Sequence, residues 1–95
     1  MTTIEIPAGL VELKREFIRI DDELAALSRT MPSGAAILAG EVAEDPADRE
    51  HWNALYARQG ELAVQIRGHE AFKGLSQMQR YQLDTEASKQ ARAGA

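Results

Sequence analysis

The chain has 95 residues, with 15 acidic and 11 basic side chains, a formal net charge of -4 and no cysteine. That length holds one small domain with a single core, and an acidic, evenly mixed surface repels phosphate backbones, which disfavours nucleic acid as a partner. Disulfides and thiolate metal sites are excluded, Met1 to Pro7 lacks the basic-then-apolar order of a signal peptide, and no stretch is long and apolar enough for a membrane span, so the expectation is a soluble cytoplasmic protein.

Residues 1–6 read as an extended arm, in which Ile4 and Ile6 alternate with polar neighbours. Pro7 suits the first turn of a helix, where its missing N–H costs nothing. A first helix is expected over 7–30. Leu10, Leu13, Phe17, Ile20, Leu24, Leu27 and Met31 recur at alternating three- and four-residue spacing, which places them on one stripe of coiled-coil type. Val11, Ile18 and Ala25 form a second stripe beside it, which a two-helix pairing alone leaves uncovered. Glu12 with Arg15, Glu16 with Arg19, and Arg19 with Glu23 stand at the spacing of solvated helical ion pairs.

Met31-Pro32-Ser33-Gly34 ends that helix, because proline disfavours helical geometry in the residue before it. The following loop, 31–45, contains the small apolar run Ala35 to Ala43. That run forms either one or two helical turns or an apolar loop folded over the end of the helix pair. Gly34 and Gly40 lack the lysine and the preceding strand of a phosphate-binding loop.

Asp45-Pro46-Ala47-Asp48 is a helix start, with a capping carboxylate, proline in the first turn and an acid facing the helix dipole. The second helix is expected over 46–67, with the stripe Trp52, Leu55, Gln59, Leu62, Ile66 and His69, widened by Tyr56 and Ala63. Gly60 costs about 0.8–1 kcal/mol relative to alanine there. It marks either a close helix approach or an indifferent exposed position. The economical arrangement is an antiparallel hairpin, with Glu16 and Glu23 flanking the first seam on the side where Arg58 flanks the second.

Gly68 and Gly74 bracket a bend. Ser76 and Gln79 have capping-box spacing, opening a shorter third helix over 76–90 that is expected to pack through its first half and fray after Ala87. Residues 91–95 read as a disordered tail. The fold class is therefore all-α, a coiled-coil-like antiparallel two-helix hairpin with a shorter C-terminal helix.

Ile6-Pro7-Ala8 followed by Leu10 and Leu13, together with His69-x-x-Phe72-x-x-Leu75 leading into a basic C-terminal helix, resembles a group of small uncharacterised actinobacterial proteins often encoded near mobile elements. The resemblance implies a helical domain of this layout and supplies no site.

Candidate chemistry is sparse. Asp48-x-x-His51 places a carboxylate and an imidazole on one helical face, but the motif occurs once, and Asp48 has a capping reason to stand there. His69 falls in the apolar seam, where a half-buried histidine satisfied by a backbone carbonyl or water is expected. Glu41-x-x-Glu44 resembles half of a magnesium site in helical nucleotide pyrophosphohydrolases, but lacks a facing acidic pair, and Pro46 interrupts any helix just after it. No catalytic residue, metal or cofactor is expected. Lys73, Arg80, Lys89 and Arg92 carry the alternative of a small DNA-associated regulator, although Asp84 and Glu86 interrupt the basic face that phosphate contact requires. The leading expectation is a non-catalytic protein that associates with itself as a homodimer, or with a partner protein. Its apolar contact residues would be Val11, Ile18, Ala25, Ile37, Leu38 and Tyr56, because a chain this small buries little by itself.

Overall fold

The computed structural model describes residues 5–93, which form four α-helices and one 3-10 turn, with no strand among them. Helix α1 spans Ala8–Thr30, α2 Gly34–Leu38, α3 Pro46–Arg67 and α4 Gln77–Ala93, with the 3-10 turn at Glu70–Phe72.

The local chemistry fixes the boundaries. Pro7 is the N-cap of α1 rather than a member of its first turn, so the helix begins one residue later than expected; its extended backbone leaves its carbonyl to accept from the Leu10 and Val11 amides at 3.1 and 3.3 Å. Between α1 and α3 the two alternatives for the small apolar run resolve to one short helix. Ser33 Oγ accepts from the Ala36 N–H at 3.1 Å, and the run ends at Gly40, whose φ of +73° suits a residue without Cβ. Asp45 caps α3 by accepting from the Ala47 N–H at 2.9 Å, and Pro46 opens its first turn. Ser76 and Gln79 form the reciprocal capping box: Ser76 Oγ accepts from the Gln79 N–H at 3.2 Å and Gln79 Oε1 from the Ser76 N–H at 2.9 Å.

The expected fraying of the C-terminal helix after Ala87, with a tail from residue 91, is corrected. Helix α4 continues to Ala93, and Ala87 and Ala91 are 0 % and 1 % exposed. Alanine has no side chain to project, so these positions let the helix backbone lie close against α1, and that contact holds the last turns. Of the expected arm, Ile6 is half-buried against the core, while residues 1–4 and 94–95 lie outside the described residues.

Helix α1 is the common element, packing against both α3 and α4. Leu10, Phe72, Leu83 and Ala87 form one buried cluster, with Ile6, Ile66, Ala71 and Leu75 packed around it. Ile20, Leu24 and Leu62 form a second, bordered by Leu13, Phe17, Trp52 and Leu55. Leu10, Leu62 and Leu83 are fully buried, each contributing about 1.5–3 kcal/mol by removal from water.

The contacts also give direction. Leu10 packs near Ile66 and Phe72, Glu16 pairs with Arg58, and Ser28 and Met31 border the same cleft as Arg49 and Trp52, so residue numbers fall along α3 as they rise along α1. Along α4 they rise together: Leu10 meets Leu83 and Ala87, Lys14 meets Asp84 and Ser88, and Phe17 and Ile18 border the same cavity as Arg92. Helix α4 thus covers the first half of α1 and stops near Asp22.

The molecule is long and thin, 60 × 24 × 19 Å, with a radius of gyration of 17.6 Å. A compact domain of this length has about 12–13 Å.

Candidate functional site

The geometry draws attention to the line where α4 lies on α1. Val11, Lys14, Ile18 and Ala25 share one side of α1 at helical spacing. Lys14 is only 8 % exposed. Its Nζ pairs with the Asp84 carboxylate and donates to Ser88 Oγ at 3.0 Å, so the ammonium enters an apolar contact only because α4 supplies both acceptors. Beside that clamp, residues of α1, α3 and α4 enclose a cavity of about 280 Å³. Its floor is Lys14, Phe17 and Ile18 of α1, one wall is Ala63, Ile66 and Arg67 of α3, and the other is Ser88 and Arg92 of α4.

The six residues expected to form a partner surface divide by position. Val11 is 8 % exposed and is buried within this chain, which corrects its place on an outer surface. Ile18 is half-buried on the cavity floor. Ala25, one turn past the end of α4, is exposed, and Tyr56 on α3 is 65 % exposed. Ile37 is half-buried, while its neighbour Leu38 is 91 % exposed at the tip of α2. Val64, Met78 and Tyr81 are further exposed apolar side chains that the spacing argument did not single out. Lys14, Ala63, Ile66 and Arg67 were also missed as site residues. A signal for Lys14 existed, since it interrupts the Val11–Ile18 stripe at helical spacing.

The four candidate nucleic-acid contacts do not form one stripe. Arg80 and Lys89 are about two and a half turns apart and so face opposite sides of α4. Arg80 borders a cleft with Ile66, Phe72 and Tyr81, whereas Arg92 borders the α1–α3–α4 cavity. Lys73 is exposed after the 3-10 turn.

Other polar groups have local partners. His69 is half-buried and caps the 3-10 turn: its Nδ1 accepts from the Ala71 N–H at 3.0 Å. The expected partner was a carbonyl or water; the backbone supplies a donor instead, because the turn's first amides have no helical acceptor. Glu44 pairs with Arg49, and among the described residues no three His, Asp or Glu side chains converge to hold a metal ion. No helix among them is long and apolar enough to cross a membrane.

The α1–α3 contact carries one well-made ion pair. Arg58 donates through Nε and Nη2 to the two Glu16 carboxylate oxygens at 2.9 and 3.1 Å, and through Nη1 to Glu61 at 3.1 Å. Those hydrogen bonds hold the Glu16 carboxyl below its ordinary value of 4.5; partial desolvation opposes them, and the charges of Arg58 and Arg19 add to them. The same bonds from Glu16 and Glu61 keep Arg58 more firmly protonated. Glu16 therefore reaches across to α3 instead of pairing with Arg19, which stands 3.7 Å from Glu23. Gln59 adds a second crossing, donating to Asp21 at 3.1 Å.

Fold and site together define a small all-helical domain in which Lys14, Arg67 and Arg92 border an open cavity. The chain belongs to the family of a domain of unknown function, DUF8825, whose model matches residues 9–91. Compared with curated proteins and with solved structures, it matches none.

Proposed function

We propose that this is a non-catalytic self-associating domain of the cytoplasm: an antiparallel, coiled-coil-like α1–α3 hairpin, braced by α4 at one end, whose other end pairs with a second copy. The observation that carries the reading is area. The chain exposes 6879 Å², where a compact monomer of its mass exposes about 5,400 Å². The excess of about 1,400 Å² is of the size one subunit buries in a substantial homodimer. Where two helices stand without a third, Ala25, Leu38 and Tyr56 are exposed and offer apolar surface to such a contact. A second copy laid there would give each distal half the layers of a four-helix core.

Absolute mass by light scattering across a dilution series tests this. A mass twice that of the chain, reduced to the single value by Tyr56→Asp or Ala25→Asp with helical content retained, is the expected result. A monomer at every concentration overturns self-association and leaves the distal face for a different protein, to be sought by capture with Tyr56→Asp as the control.

A further inference from the structure

The cavity between α1, α3 and α4 lies apart from the distal face and has a chemistry of its own. Its apolar surface comes from Phe17, Ile18, Ala63 and Ile66, and its charged side chains are Lys14, Arg67 and Arg92. No carboxylate borders it, in a chain whose net charge is -4. Lys14 is committed to Asp84 and Ser88. The two arginines are not: among the described residues neither lies in an ion pair, and the Arg67 Nε only donates weakly to the Ala63 carbonyl at 3.4 Å.

We propose that this cavity binds a small amphiphilic carboxylate, with its hydrocarbon part on Phe17, Ile18 and Ile66 and its head group between Arg67 and Arg92. Guanidinium groups on opposite walls are suited to a planar carboxylate, which each can meet through two N–H donors. A volume of about 280 Å³ lies just below the usual range for drug-sized ligand sites and suits only a small ligand, a medium-length acyl chain or a single aromatic acid. The surroundings favour a small molecule over an acidic helix of a partner protein. The groove that continues along α1 past Ile18 is bordered by Asp21 and Asp22 as well as by Arg92, so an acidic segment extended along it meets both carboxylates, whereas a single head group held on the Arg67 side of Arg92 is repelled less.

Sodium octanoate is the probe, with octylamine as the charge-reversed control, followed by titration calorimetry and amide chemical-shift mapping on the full chain. The expected result is one saturable site per chain, with shifts centred on Ile18, Ala63 and Ser88, and no saturable binding of octylamine. Arg92→Ala and Arg67→Ala should each weaken octanoate at least about tenfold, as loss of a charged hydrogen-bonding partner does, while Arg92→Lys retains part of the affinity. Both arginines are exposed, so far-UV circular dichroism should be unchanged in these variants. Absence of saturable binding, equal binding of octylamine, or arginine variants that bind as the parent does would overturn the proposal. Shifts at the cavity that follow dilution and not octanoate would assign the site to a second copy, and would likewise overturn it. Because mass and octanoate affinity are read separately, failure of the dimer is distinguishable from failure of this site.

Discussion

The two ends of α1 are built from similar sequence and reach different states. Near its start, Leu10 is enclosed by Phe72, Leu83 and Ala87, so α3's end, the 3-10 turn and α4 all contribute to one cluster. Near its end, the cluster of Ile20, Leu24 and Leu62 is built from two helices alone, and Leu27 and Met31 remain half-buried. The apolar seam is as regular at one end as at the other. What differs is the count of neighbours: a stripe needs one partner helix, but a helix with a second stripe needs two, and α4 reaches only as far as Asp22. A third helix turns the same pattern from an exposed ridge into a core.

Severing α4 from α1 should remove this contrast most effectively. Asp84→Ala leaves the Lys14 ammonium in its apolar contact with only Ser88, and should cost about 1–3 kcal/mol, the penalty for stranding a buried donor. Lys14→Met should cost less, since the Asp84 side chain is 53 % exposed and water can solvate it. Chemical denaturation gives the totals. Hydrogen exchange gives the location, and faster exchange should be confined to α4 and the first half of α1. Equal costs for the two variants would show that the pairing, not the burial of lysine, is what matters.

A glycine sharpens the distal side. Gly60 is exposed, and a Cβ built on it meets nothing within 4 Å, so within the chain it serves no close approach. Gly60→Ala should therefore raise the stability of α3 by about 0.8–1 kcal/mol, read as a higher Tm at low protein concentration. If the rise reverses at high concentration, where self-association is complete, then a second copy needs the space that alanine fills.

The smallest effect concerns the ion pair at the junction between the two ends. Glu16 titrates below its ordinary 4.5 when folded, so its contribution is complete above that value and is lost as the pH falls through the lower folded one. Arg58→Met should flatten the stability profile below pH 4.5 and leave its slope near neutrality unchanged. An acid limb unaltered by the substitution would place the pH dependence elsewhere.

Much of this was legible in the residues. The stripe from Leu10 to Met31, the Asp45-Pro46 start and the Ser76–Gln79 box are local patterns, each decided by the few residues around it. Helix content, helix order and most boundaries follow from them. Ile6, Leu10, Phe72 and Leu75 are distant in the chain and meet in one cluster. Periodicity also showed that Val11, Ile18 and Ala25 share a side of α1. It could not say what lies over them. Whether Val11 is core or surface depends on where α4 lands, and thus on the bend around Gly74, whose φ of +74° redirects the chain after the 3-10 turn. Burial is a property of neighbours, and these neighbours are separated by some seventy positions, as Lys14 and Asp84 are. The chain alone therefore determined the helices and their apolar faces. Only the tertiary structure decided which stretch of the second stripe became core, which stayed open at Ala25 and Tyr56, and that Arg67 and Arg92 would face one cavity.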